Sequence, residues 1–494
     1  MAVGTGLDER RAYLLKATDE WHIPTPMAMA MLEDPYVEIR VQVARVLAVN
    51  PDPTKTLLLG RYATDASLRV RERAMLATGR TGEPTVAIAL TGLKDSAPVV
   101  RQGAAWAASH GGTSALPHLA ALLLTERSSE VTTTALANLW RFGDAAWEGH
   151  AGRFARHTDP NLRRAAAYSL ARSSTPARTQ SLTVLCRDVE PVIRATAIGG
   201  LRQGPLSAEQ QVLLSRALSD QDWRVRSAAC QVLAARPEVE LDPDAAERLG
   251  ALWFDGHAQL AVAALEAAAA HPGAGNDDDL ARCVTHCEPW PAGAALQALA
   301  RRDPARAAEI AAQWIEAEEI WRRRAGARCA VKLPVEARQA LQRRILSDPE
   351  PSVRLAWLES LDGETATPRA ESLWGLVDGD PDPAVRAQAL GLLDEVGGPI
   401  EAERLLSLYR RWGSDAAPDA RAAALAAALP RNGTDPRRRD EILEIAAGDP
   451  NSAVAALIHN EAGGTAAAGA MPGRDARHGG KWYRDLVAWS MEEH

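Results

Sequence analysis

Ser347-Asp348-Pro349-Glu350-Pro351-Ser352-Val353-Arg354-Leu355-Ala356-Trp357-Leu358-Glu359-Ser360-Leu361 reads as a tight turn leading into a helix. The aspartate suits a helix start because its carboxylate accepts backbone N–H groups, and proline tolerates the first helical position. Aligned on Arg354, the same pattern recurs around Arg40, Arg71, Arg101, Arg163, Arg194, Arg226, Arg386 and Arg421. Weaker copies fall at Thr132, Leu260, Gly293 and Val454, and Arg324 sits in a basic variant. Neighbouring anchors lie 30 to 35 residues apart. A period of that size marks a repeat architecture, so the chain has to be read unit by unit.

Each unit explains itself mechanically. An aspartate stands six residues before the arginine at Asp34, Asp65, Asp95, Asp188, Asp220, Asp348, Asp380 and Asp415. A small residue follows the arginine by three or four positions (Ala44, Ala74, Ala104, Ala166, Ala197, Ala229, Ala389, Ala424), which permits close approach of helices. An apolar residue stands at the seventh (Leu47, Leu139, Leu170, Leu201, Leu233, Leu361, Leu393). These positions share one helical face and predict a buried stripe. A second helical pattern of about ten residues, such as 115–124, separates the copies. The unit is a helical hairpin, and the fold class is an all-α solenoid of about 14 hairpins.

This pattern resembles the HEAT-repeat family, in its short bacterial form with Asp and Arg six residues apart, over residues 26–460. The resemblance implies a right-handed superhelix whose second helices line the concave side. It also implies a ladder of hydrogen bonds between repeats, formed by Asp34/Arg40, Asp65/Arg71, Asp95/Arg101, Asp188/Arg194, Asp220/Arg226, Asp348/Arg354, Asp380/Arg386 and Asp415/Arg421. Trp357, where most copies have alanine, departs from the pattern and implies a reshaped helix contact. Scaffolds and binding surfaces are the roles the resemblance suggests, ahead of catalysis.

Composition narrows the classes. The net charge of −8 and pI of about 5.8 argue against broad attraction to nucleic acid or anionic membrane. Five cysteines (Cys186, Cys230, Cys283, Cys287, Cys329) are too few and scattered for a disulfide framework, and fit a reducing compartment. No window offers the roughly 20 apolar residues of a membrane span, and the N-terminus lacks a signal peptide's apolar run. A cytoplasmic location follows as the expectation.

The expected organisation is an N-terminal capping helix in 1–25, regular repeats in 26–239, degenerate repeats in 240–335 and regular repeats in 336–460. A Gly/Ala-rich linker (461–480) and a Trp-rich helix or peptide (481–494) follow. In the last, Trp482, Leu486 and Trp489 fall at helical spacing. Two readings stand: the peptide caps the last repeat, or it is a helix-in-groove ligand.

Candidate sites are few. Cys283-Val284-Thr285-His286-Cys287 places two thiols four apart, but without a second ligand pair it reads as core cysteines, with Cys329 and His271 the only others nearby. No metal or cofactor is expected. Trp and Arg dominate binding hot spots. Most of the tryptophans read as core filler, with Trp223 and Trp321, beside turns, the expected exposed ones. Arg322, Arg323 and Arg324 form the expected partner-contacting basic run, while Arg437-Arg438-Arg439 reads as a solvated face. No H-E-x-x-H, phosphate loop or nucleophile elbow is present, and no His-Glu dipeptide like that of HEAT-like deoxyhypusine hydroxylases. The expected function is a non-catalytic scaffold or adaptor for another protein, with nucleic acid and membrane disfavoured. The alternatives are a nucleic-acid binder related to the HEAT-like alkylpurine DNA glycosylases, and a regulatory or assembly factor, lyase- or chaperone-like, for another enzyme.

Overall fold

A computed structural model describes residues 10–11, 13–14, 23, 25–49, 56–81, 85–143, 147–173, 178–361, 370–396, 400–413, 418–429, 435–451, 454 and 458. Among these there are 27 α-helices and no strand. They belong to two compact units, Met1–Gly275 and Asn276–His494.

In the first unit, α1 (Thr25–Ala30) pairs with α2 (Val37–Val49), α3 (Thr56–Tyr62) with α4 (Leu68–Thr81), and α5 (Val86–Gly92) with α6 (Pro98–Ala108). Then α7 (Leu116–Thr125) pairs with α8 (Ser129–Asn138), α9 (Glu148–Gly152) with α10 (Pro160–Leu170), and α11 (Thr179–Leu185) with α12 (Pro191–Gly200). The last pairs are α13 (Ala208–Ala217) with α14 (Trp223–Ala235), and α15 (Pro243–Ala251) with α16 (Ala258–Ala270). Each even-numbered helix packs on the next even-numbered one, from α2 through α16.

In the second unit, α17 (Asp277–His286) pairs with α18 (Pro289–Arg302), α19 (Pro304–Ile315) with α20 (Ile320–Lys332), and α21 (Val335–Leu346) with α22 (Pro351–Leu358). They continue as α23 (Ala370–Gly379) with α24 (Pro383–Val396) and α25 (Ala402–Trp412) with α26 (Pro418–Ala428), ending on α27 (Pro436–Ala447). Here α18, α20, α22, α24 and α26 form the corresponding row.

Local chemistry sets the helix starts. Asp159 and Asp222 accept the backbone N–H two residues on, Pro160 occupies the first helical position, and Ser207 with Gln210 closes a capping box. The alanines expected in the buried stripe, Ala44, Ala74, Ala104, Ala166, Ala197 and Ala229, are fully buried in the first unit, as are Leu139, Leu170, Leu201 and Leu233. Burying each leucine stabilises by about 1.5–3 kcal/mol, and the alanines let the even helices lie close enough to share that burial. Trp357 is also buried, its indole inside the row where other second helices place alanine.

Of the expected capping helix, Arg10, Arg11, Tyr13 and Leu14 are described and helical, with Leu14 in the core beside Ile23 and Met31. The linker and the C-terminal peptide, with Trp482, Leu486 and Trp489, lie outside the described residues, as does Asp415.

No described helix is long and apolar enough to cross a membrane.

Candidate functional site

The repeating Asp and Arg are brought together across successive hairpins. Arg40 donates from Nε to Oδ2 of Asp65 at 2.7 Å and from Nη2 to Oδ1 at 3.1 Å. Its Nη1 meanwhile binds the backbone carbonyl of Asp34, in its own hairpin. One guanidinium thus ties its own turn to the carboxylate of the next turn. The same arrangement joins Arg71 to Asp95, Arg163 to Asp188, Arg194 to Asp220 and Arg354 to Asp380. Each carboxylate also accepts the backbone N–H two residues on, such as Ser67 on Asp65 and Ala97 on Asp95. Bidentate, charge-assisted pairs of this kind fix both partners.

Three acceptors escaped the sequence pattern, Asp449 beside Arg421 and two in the first unit. Arg101 binds Glu126, and Arg226 binds Asp255. Glu126 stands six residues before Thr132, so the fourth copy keeps the acceptor with one added methylene. In that copy Ser129 Oγ, donating to Asp159 at 2.6 Å, makes the onward link that an arginine makes elsewhere.

Two anchors need correction. The ladder arginine of the basic variant is Arg323, not Arg324: it reaches Asp348 at 2.9 Å and the carbonyls of Ala317 and Glu318. The slot is the fourth residue of the helix, as Arg354 is of α22, and α20 begins at Ile320. By the same count the slot in α16 belongs to Ala261, six after Asp255, while Leu260 is core. At the ends of the ladder, Arg10 pairs with Asp34 at 2.9 Å, and Arg421 with Asp449 at 2.9 Å. Asp449 also accepts from Tyr409. Arg386 donates to the carbonyls of Asp380 and Pro381 and stands over the Trp412 ring.

The expected partner-contacting residues fall differently. Arg323 is committed to the ladder and nearly covered. Arg322 pairs with Glu319 and stands over the Trp321 ring, while Arg324 is exposed. Trp223 and Trp321 are half-buried instead of exposed: Trp223 stacks on His257 with ring centroids 5.3 Å apart, and Trp321 meets Trp314 edge-on. Helix starts leave room for a ring to fold back on its neighbour, which the turn position alone does not reveal. Among the described residues the exposed tryptophan is Trp290, at 57 %.

The thiols of Cys283 and Cys287 lie 2.8 Å apart, the first buried and the second half-buried. Burial pushes Cys186, Cys230 and Cys329 up to about 12, far from the thiolate a nucleophile needs. Among the described residues no three His, Cys, Asp or Glu side chains converge as metal ligands.

A cluster the sequence reading did not single out lies on the second helices of three successive hairpins in the first unit. Trp106 fills the notch at Gly79, where an added Cβ would come within 2.3 Å of its ring. Its indole lies 4.5 Å from the His110 imidazole. Two guanidinium groups stand over the Trp140 ring, Arg141 at 4.9 Å and Arg172 at 5.4 Å, and Arg172 also covers the Tyr168 ring at 3.4 Å. Burial pushes the His110 imidazole down; the Trp106 carbonyl it meets works the other way, and Arg141 pushes it down further. The signal available in sequence was periodicity: His110, Arg141 and Arg172 stand one repeat apart at the ends of their helices, as do Ala137 and Tyr168 earlier in theirs.

The HEAT-repeat family model matches residues 25–109 and 116–202. No curated protein matches the sequence. Among solved structures, the E. coli protein YibA is 13% identical with a TM-score of 0.38, covering 54% of this chain and 98% of its own. The karyopherin Kap121p is 12% identical with a TM-score of 0.44, covering 92% and 67%. Kap121p bound to the extreme C-terminus of the protein phosphatase Cdc14p gives the same coverage with a TM-score of 0.45. The family model falls on the first six hairpins, so residues 25–109 and 116–202 carry HEAT repeats, and hairpins of the same build recur in both units.

Proposed function

We propose that the chain is a non-catalytic scaffold that binds another protein along its second helices. The carrying observation is the row of Trp106, Trp140 and Tyr168 on α6, the turn after α8, and α10, partly open to solvent beside Arg141 and Arg172. Aromatic and arginine side chains supply most of the energy in protein interfaces, and a rigid helix row presents them with little entropy left to lose. The ladder arginines and carboxylates are spent on one another, so they serve the frame instead of a reaction. The buried, raised thiols suit a reducing compartment such as the cytoplasm.

Affinity purification from the native host, with the full chain beside a W106A/Y168A variant of matched helicity, tests this reading. A partner retained by the first and lost from the second supports it. Identical protein sets from both would remove the row from the interface. Adding R322E/R324E, and truncation after residue 469, asks in the same experiment whether the α20 edge and the C-terminal peptide contribute further contacts.

A further inference from the structure

Several arginines at the surface of this protein face carboxylates. Arg322 meets Glu319, Arg411 meets Asp378, Arg438 meets Glu403 and Glu441, and Arg187 meets Glu209. Arg404, which covers the Trp374 ring at 3.4 Å, is also neutralised by Asp378. Arg141 and Arg172 stand together over one indole instead. The first bonds the side-chain oxygen of Asn138, the second the backbone carbonyl of Tyr168, and no described carboxylate pairs with either. In a chain with 64 acidic residues against 56 basic ones, two guanidinium groups held beside one indole with no carboxylate partner among the described residues form a local positive site.

The geometry limits what fits. Both guanidinium carbons are measured to the same Trp140 centroid, at 4.9 and 5.4 Å, so they stand no more than about 10 Å apart. An extended segment of polyproline II form advances about 3.1 Å per residue and returns to the same face every third residue, so carboxylates three residues apart lie on one face within that limit. The rings of Trp106, Trp140 and Tyr168 offer apolar contact between and beside the charges. A nucleic acid would fit less well, because its affinity grows with the number of phosphates neutralised, and here two cations sit on a body of net charge −8.

We propose that the face made by Trp106, His110, Trp140, Arg141, Tyr168 and Arg172 binds an extended acidic segment of a partner protein, with carboxylates about three residues apart and apolar side chains between them. This rests on the scaffold reading above and specifies the chemistry of its ligand. Each carboxylate takes one guanidinium, and the intervening apolar side chain lies on the Trp140 ring.

The test uses the full chain and a fluorescein-labelled twelve-residue peptide with glutamate at every third position and leucine and alanine between. Its counterparts carry glutamine or lysine in place of glutamate, and a twelve-nucleotide oligothymidylate controls for charge alone. Fluorescence anisotropy at low salt should show the glutamate peptide binding at least tenfold more tightly than the glutamine peptide. R141E/R172E should weaken it by tenfold or more and favour the lysine peptide, with R141Q/R172Q giving the intermediate loss if the reversal perturbs folding. Equal binding of the glutamate and glutamine peptides overturns the proposal, as does indifference to both substitutions. Tighter binding of the oligonucleotide assigns the face to nucleic acid and overturns it too. A host partner that needs Trp106 and Tyr168 but ignores R141E/R172E would keep the scaffold reading and sink only the acidic ligand.

Discussion

Arg354 donates from Nε and Nη2 to the two carboxylate oxygens of Asp380, 2.8 Å each, and both side chains are almost wholly covered. Removing one member leaves the other charged and buried, which costs far more than the intact pair is worth. R354A is therefore expected to destabilise the second unit by about 3–5 kcal/mol. R322A, which breaks an exposed pair with Glu319, should cost less than about 1 kcal/mol. Because stacked hairpins unfold piecewise, the quantity to follow is the midpoint of the first transition in urea. Equal midpoints for the two variants would contradict the argument.

The neighbouring arginines of α20 allow a sharper comparison, since they differ by one position and nothing else in type. Arg323 reaches Asp348 and two carbonyls, whereas Arg324 points to solvent. R323A should lower the melting temperature clearly, and R324A should change the stability by no more than about 0.5 kcal/mol. A larger effect at Arg324 would mean that the helix begins one residue later.

These two cases show what the sequence could and could not deliver. Period, hairpin unit and buried alanine stripe were legible because each is repeated many times, so one faint copy is rescued by its neighbours. The ladder slot failed where the arginine run was ambiguous: in Arg322-Arg323-Arg324 only the helix start decides, and boundaries are the weakest part of a sequence reading. Glu126 was missed because the pattern was written for aspartate, although a glutamate in that slot accepts the same guanidinium. The Trp140 cluster was harder still. Arg141 and Arg172 belong to different hairpins, and their meeting over one ring depends on how far each helix turns past its last regular residue.

Gly275 closes the first unit with a φ of +61°, and an added Cβ would come within 2.3 Å of the buried Trp253 ring. Alanine there meets two penalties at once, a left-handed backbone and a collision with a side chain that has no room to retreat. G275A should destabilise the first unit by about 2 kcal/mol or more. Gly273, with open space around it, is the control, and G273A should be nearly silent. Tryptophan fluorescence during denaturation reads both.

Acid should loosen the ladder. Arg71 holds the Asp95 carboxylate below its ordinary value against the opposing effect of burial, with the Ala97 N–H adding to the lowering. Arg101 brings Glu126 down to about 2, again against burial, helped by the N–H groups of Ser128 and Arg127. A carboxylate whose folded pKa lies below its unfolded one contributes stability that is complete above the unfolded value, near 4–4.5, and disappears as pH falls through the folded one. The melting temperature should thus stay level from pH 7 to about 5 and then decline toward pH 2, with Glu126 among the last groups to protonate. E126Q removes one such group: it should melt lower than the parent at pH 7, yet lose less on going to pH 3. Thermal melts by circular dichroism at both pH values measure the difference, and an E126Q curve that runs parallel to the parent's would show that this pair has no share in the acid response.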